Sequence, residues 1–474
     1  MRRYLAGISL LMSFALQIKA GTAGIDYWVW HRSTPLTAAE RAGLAAQHVG
    51  TLFWNAGEMA NSTGAWRWQA PPRDLRGVAS GFRLVPVVRL TSDSRRPFAP
   101  ETLAGLVEKL RTVAAPSGRL QLDFDCPDRL LSDYAAALRV IRSSVPHLAI
   151  TALAHWPALS GFAALAGEVE EIAPMFYDLQ ADPTGVSALA PPPPLLDPAR
   201  VAAALRPWSA CPIPWRAGLP TFARLTVFDR TGLSRGQIPN WSWDDVCFHK
   251  SLHDLGPTRL GVTLFRADAD TRLAATPVAK DEMVASRFVD RAALARCAAL
   301  AREAGASSVV YFRLADGSDS AGWSQSDLAD LDSPARPRLT LRRTQGGEFL
   351  ELTNDSPHDL GPLLHGEKSD RDRGYALEID APAPLFREAL AGDFWRITSH
   401  PRPDTKETAP VAVPLATRLT FWFSQLRAGA TLQTGLLQFA PGATLENVRC
   451  RVLSCPGAAE WMPIQPAVPV TATP

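Results

Sequence analysis

Two aspartates two positions apart, Asp123 and Asp125, close the run Leu120-Gln121-Leu122. On a β-strand that spacing puts both carboxylates on one face. Like charges held close raise the pKa of one of them, a route to a proton-donating acid near neutral pH. The competing reading makes Asp125 the cap of the helix that follows. Glu58 is a further acid near the end of another apolar run, and Arg89 and Arg313 supply cations. Met175-Phe176-Tyr177-Asp178 brings a phenol and a carboxylate together, and Trp30, Trp54 and Trp156 offer flat aromatic faces. Aromatic faces beside hydrogen-bonding acids suit a sugar ring, which has an apolar C–H side and polar hydroxyls.

These residues share a position: each lies at or just past the end of a short apolar run. The runs are 25–30, 51–54, 84–90, 120–125, 149–153, 171–177, 213–219 and 308–314. Segments of helical period fall between most of them, at 38–47, 100–114, 131–143, 159–166, 198–205 and 291–304. Thr37 and Asp290 are the expected N-caps of the first and last of these helices, and Gly305 the C-cap of the last. Eight strands alternating with helices predict an α/β fold, a (β/α)8 barrel, in which reactive groups gather at the carboxyl ends of the strands. No Gly-rich phosphate turn follows the first strand, which disfavours a doubly wound sheet.

Residues 24–336 are therefore read as the barrel. Its seventh and eighth strands are separated by about 90 residues, where a barrel of ordinary size spends roughly 30 per unit. That excess defines an insertion at 223–290, with its own strand-like runs and the turn Asn240-Trp241-Ser242-Trp243. From 337 to 455 short apolar runs alternate with Gly, Pro, Asn and Asp clusters, the pattern of an all-β sandwich. Residues 456–474 read as a Pro/Ala-rich tail.

The chain carries 49 basic and 47 acidic residues, a net +2, without a basic run. That excludes nucleic acid as the expected partner, because phosphate binding needs clustered positive charge. Residues 1–23 have the features of a secretory signal: Arg2-Arg3, a short apolar core and the small residues Gly21-Thr22-Ala23. Export to the periplasm or beyond follows, with no membrane span after signal removal. Among the six cysteines, Cys450 and Cys455 are close enough for a local disulfide. Cys247, His249 and His253 have ligand-like spacing, but the plainer reading is a helix that carries two histidines. No metal or cofactor is expected.

Met175-Phe176-Tyr177-Asp178 resembles the strand-six motif of chitinase-like glycoside hydrolases of family 18, and Leu122-Asp123-Phe124-Asp125 resembles part of their strand-four motif. The resemblance implies a barrel in which Tyr177 and Asp178 position a substrate N-acetyl group. It also implies a proton-donating glutamate two residues past Asp125, where this sequence has Pro127. Leu-Asp-Phe-Asp, Ile-Thr-Ala-Leu-Ala-x-Trp, Pro-Met-Phe-Tyr-Asp and Val-Tyr-Phe-Arg-Leu together resemble the secreted bacterial family called domain of unknown function 3142, over almost the whole chain. The expected function is glycoside-hydrolase-like action on a polysaccharide or glycan. Asp123, Asp125 and Glu58 are its candidate acids; Tyr177, Asp178, Trp30, Trp54, Arg89, Trp156 and Arg313 are its candidate ligand contacts. The alternative is a glycan-binding or envelope-assembly protein on the same barrel without catalysis.

Overall fold

The computed structural model describes residues 24–466 except 31, 33, 63, 258, 316–321, 345–347, 366–372, 402–409 and 455–460. Residues 1–23, expected above to be a signal, lie outside the described residues, as does Cys455. Eight parallel strands close into a barrel: β1 (Gly24–Val29), β2 (Thr51–Asn61), β3 (Arg83–Ser92), β4 (Arg119–Asp123), β5 (His147–Leu153), β6 (Glu171–Met175), β7 (Ala217–Pro220) and β8 (Ser308–Phe312). Each pairs with its neighbours in sequence order, and β1 pairs with both β2 and β8. The expected (β/α)8 barrel is the fold observed.

Alternation along the strands sorts the side chains. In β4, Leu120 and Leu122 join the core shared with the outer helices, so Gln121 and Asp123 point into the barrel. Trp28, Phe53, Val85, Val87, Ala173 and Val310 fill the interior. The Trp28 indole donates to Gln121 Oε1 at 2.7 Å. A Cβ on Gly218 would come within 2.7 Å of the Trp28 ring, so only glycine lets β7 pass beside that tryptophan.

The outer helices are α1 (Ala38–Ala46), α2 (Pro100–Ala114), α3 (Leu131–Arg142), α4 (Phe162–Ala166), α5 (Pro198–Leu205) and α6 (Arg291–Glu303). Thr37 caps α1 in a reciprocal capping box with Glu40, and Asp290 caps α6. These side chains satisfy backbone N–H groups that the first helical turn leaves without partners. Gly305 follows α6 with φ of 93°. No helix among the described residues is long and apolar enough to cross a membrane.

Between β7 and β8 lies a five-stranded antiparallel sheet, ordered Ser234–Gln237, Ala223–Phe228, Met283–Phe288, Val262–Ala267, Leu252–Pro257. The helix expected to carry both histidines stops at Cys247, and His253 belongs to the strand Leu252–Pro257. Pairing of that strand with Val262–Ala267 overrides the helical spacing. His249 instead donates through Nε2 to the Arg272 carbonyl at 3.0 Å.

Beyond the barrel, two four-stranded sheets and a two-stranded one share a separate apolar core that includes Leu341, Leu352, Leu377, Phe421 and Cys450. Cys450 is a buried free thiol. The loose-tail reading fails at its centre. Ile464–Gln465 pairs in parallel with Leu341 and Arg342, and the guanidinium groups of Arg449 and Arg451 lie 4.4 and 4.7 Å from the Trp461 ring centre. Backbone pairing and cation–π contacts tie this segment down where composition suggested none.

Candidate active site

A cavity of about 840 Å³ opens at the carboxyl ends of the strands, where a barrel of this kind presents its chemistry. Asp123, the last residue of β4, stands in it beside Trp28, Trp30, Arg89, Tyr177 and Phe312. Register puts Asp123 opposite Arg89 of β3, and Arg89 opposite Glu58 of β2, so acid, base and acid follow one another across three adjacent strands. From the other side, the Thr151 hydroxyl of β5 donates to Asp123 Oδ1 at 2.8 Å.

Burial pushes the Asp123 carboxyl up to about 6. The Thr151 hydrogen bond and Arg89 oppose that rise, while the charges of Asp125 and Glu58 add to it. Desolvation thus outweighs the nearby guanidinium, and the group exchanges its proton in the range a general acid needs.

Asp125 lies beyond the strand end, solvent-exposed and lining the same cavity. It does not cap a helix: the short turn Asp128–Leu130 and α3 start at Pro127 and Leu130 without a side-chain cap. Pro127 is itself exposed, and Asp128 accepts from His155 Nε2 at 2.8 Å.

Tyr177 stacks on Phe312, ring centres 6.1 Å apart, with Phe222 edge-on at 6.1 Å. Burial, reinforced by the charges of Asp123, Asp125 and Asp178, drives its phenol well above the ordinary range, so it stays a hydrogen-bond donor. Asp178 follows in a left-handed backbone conformation, φ 52°, which presents its carboxylate to Arg224 of the insertion. The two form a bidentate pair at 2.8 and 2.5 Å. Arg224 of the insertion thus holds a residue of the cavity wall without lining the cavity itself.

Six of the ten residues singled out from sequence line this cavity: Asp123, Asp125, Arg89, Trp30, Tyr177 and Asp178. Glu58 does not line it and acts on Asp123 through its charge. Trp54 and Trp156 are 1% and 0% exposed, and neither offers a ring face to a ligand. Trp54 sits on the helix-facing side of β2, and Trp156 packs in the turn after β5, both in the outer core. Arg313 follows β8 through a cis peptide and does not line the cavity. The sequence reading missed Thr151, Trp28 and Arg224. Thr151 could have been found, since it shares the inward alternation of β5 with Ala149 and Leu153. Nothing local marks Arg224.

No family model matches the sequence, and no curated relative matches it. Among solved structures, a chitinase from Chromobacterium violaceum is similar at 13% identity and TM-score 0.45, covering 66% of this chain and 100% of that one. A family 18 N-acetylglucosaminidase from Paenibacillus barengoltzii is similar at 12% identity and TM-score 0.43, with 65% and 98% covered. A class V chitinase from Nicotiana tobaccum is similar at 10% identity and TM-score 0.39, with 61% and 93% covered. Likeness at these identities concerns the fold and says nothing of the chemistry.

Proposed function

We propose that this protein is an exported, glycoside-hydrolase-like enzyme acting on a polysaccharide or glycan. The observation that carries the reading is the Asp123–Asp125 pair at the mouth of an aromatic-walled cavity, with the Asp123 carboxyl pushed up to about 6. In this reading Asp123 gives its proton to the leaving oxygen, and Asp125, further out, is the second carboxylate that glycoside cleavage calls for. Tyr177 donates a hydrogen bond to the bound sugar, and Trp30 supplies apolar surface. Asp178, held by Arg224, shapes the wall and is not a free acceptor. Glu58 tunes Asp123 from outside the cavity. The domain plan at 24–336 and 337–455, the signal at 1–23 and kinship with the domain of unknown function 3142 belong to the same reading.

The test is release of reducing ends from a panel of polysaccharides by the mature protein. Release that is lost in Asp123→Asn and Asp125→Asn, with retention on the same polymer intact, supports the enzyme. The second reading, a glycan-binding protein without turnover, is favoured by one observation: the exposed Pro127 stands where the resembled motif has its acid. Retention without release by the wild-type protein, from acidic to mildly basic pH, decides for the binder.

A further inference from the structure

The cavity is longer than its catalytic end. Its wall continues along α5, where Ala203, Ala204 and, just beyond the helix, Pro207 join Leu179 in an apolar trough that also holds Arg200. Three guanidinium groups lie on or beside this wall, and two have acids set against them. Arg89 lies between Glu58 and Asp123 in register, and Arg224 holds Asp178 in two hydrogen bonds.

Arg200 is different. Its nearest acid along the helix, Asp197, is already engaged twice. One oxygen accepts from the Ala199 N–H at the cap of α5, and the other faces Arg259 at 3.5 Å. Among the described residues Arg200 has no ion pair, and its side chain is exposed along the cavity wall. His155, a further cation-forming group on the wall, is turned to Asp128. A guanidinium left without a carboxylate beside an apolar trough suits a ligand that brings its own. Arginine binds a carboxylate in two parallel hydrogen bonds, so it selects for that group more sharply than a point charge would.

We propose that Arg200 recognises a carboxylate on a sugar unit bound in this cavity, so that the preferred substrate is an acidic glycan. The proposal rests on the glycan reading above and narrows it. The carboxylate could belong to a uronic acid or to an ether-linked acid substituent. The experiment therefore uses matched polymers: chitin and cellulose, each unmodified, oxidised to the acid at C6, or O-carboxymethylated. Retention and reducing-end release are measured for wild type, Arg200→Gln and Arg200→Lys.

A charge-assisted pair of this kind predicts at least about tenfold tighter retention of one acidic form over its neutral parent at low salt. Arg200→Gln should abolish that preference while leaving retention of the neutral polymer unchanged, and Arg200→Lys should keep part of it. Preference for the C6 acid identifies a uronic ligand; preference for the carboxymethyl form identifies an ether-linked one. Equal retention of acidic and neutral forms, or a preference that survives Arg200→Gln, overturns the assignment while the glycan reading stands. Retention of none of these polymers overturns the assignment, and absence of retention and release across the whole polysaccharide panel overturns the glycan reading as well.

Discussion

At the amino end of the barrel, Asp26 of β1 and Glu171 of β6 share Arg216, at 2.5 and 2.9 Å. Asp26 is 1% exposed, and it also accepts from the Thr51 N–H at 2.6 Å and from the Ser308 hydroxyl. At the carboxyl end, Asp123 likewise stands near an arginine, yet among the described residues it accepts a side-chain hydrogen bond from the Thr151 hydroxyl alone. The base compensates each buried charge with hydrogen bonds and a bidentate-capable cation. The mouth leaves a carboxyl under-compensated, and that carboxyl rises to about 6. Two carboxylate clusters in one barrel thus differ in their surroundings: the first ties strands together, and the second holds a carboxyl whose pKa is raised.

The largest effect expected from this contrast is on turnover. Asp123→Asn or Asp125→Asn should lower reducing-end release by about 10²–10⁴-fold, the usual worth of general acid catalysis. In the wild-type protein, release should fall about tenfold per pH unit above roughly 6, as Asp123 loses its proton. Activity that stays level from pH 6 to 9 would remove Asp123 from the acid's role.

The base should answer differently. Arg216→Met leaves buried Asp26 and partly buried Glu171 without their cation and should cost about 3–5 kcal/mol in denaturant unfolding. A loss below 1 kcal/mol would show that the base cluster is not the clamp its geometry describes.

Asp123→Asn should stabilise the fold even as it removes activity. The folded pKa of Asp123 lies above its ordinary value of 3.8. Its favourable contribution is therefore complete below pH 3.8 and is lost as pH rises through about 6. Above that, ionised Asp123 costs up to about 3 kcal/mol, the equivalent of a shift of some two pH units. Asparagine keeps an oxygen for the Thr151 hydroxyl without the charge. Thermal unfolding at pH 8 and pH 4 should show a higher Tm for the variant at pH 8 and near equality at pH 4. The reverse order would contradict the burial argument.

The smallest effect sharpens the contrast further. Glu58→Gln removes one charge that raises Asp123 and should move the alkaline limit of activity down by a few tenths of a pH unit, with release retained. Complete loss of release would instead make Glu58 the acid.

Sequence alone determined the order of the eight strands and the ends of most helices. Hydrophobic alternation and capping residues such as Thr37 and Asp290 act over a few positions, and they are legible wherever they occur. It also located Asp123 and Tyr177, because strand ends in a closed barrel converge. Trp54 and Trp156 were misread because a tryptophan near a strand end can face the ligand or the helices. In β2 the residues Leu52 and Trp54 share the outer face, and only closure of the barrel decides which face is outer. The pairing of Asp178 with Arg224, 46 positions away, depended on how the insertion folds back over the mouth. The raised pKa of Asp123 was likewise a tertiary outcome. Two aspartates at i and i+2 make a raised pKa available in principle. Its size comes from desolvation, and desolvation belongs to the packed walls of the barrel, not to any local run of residues.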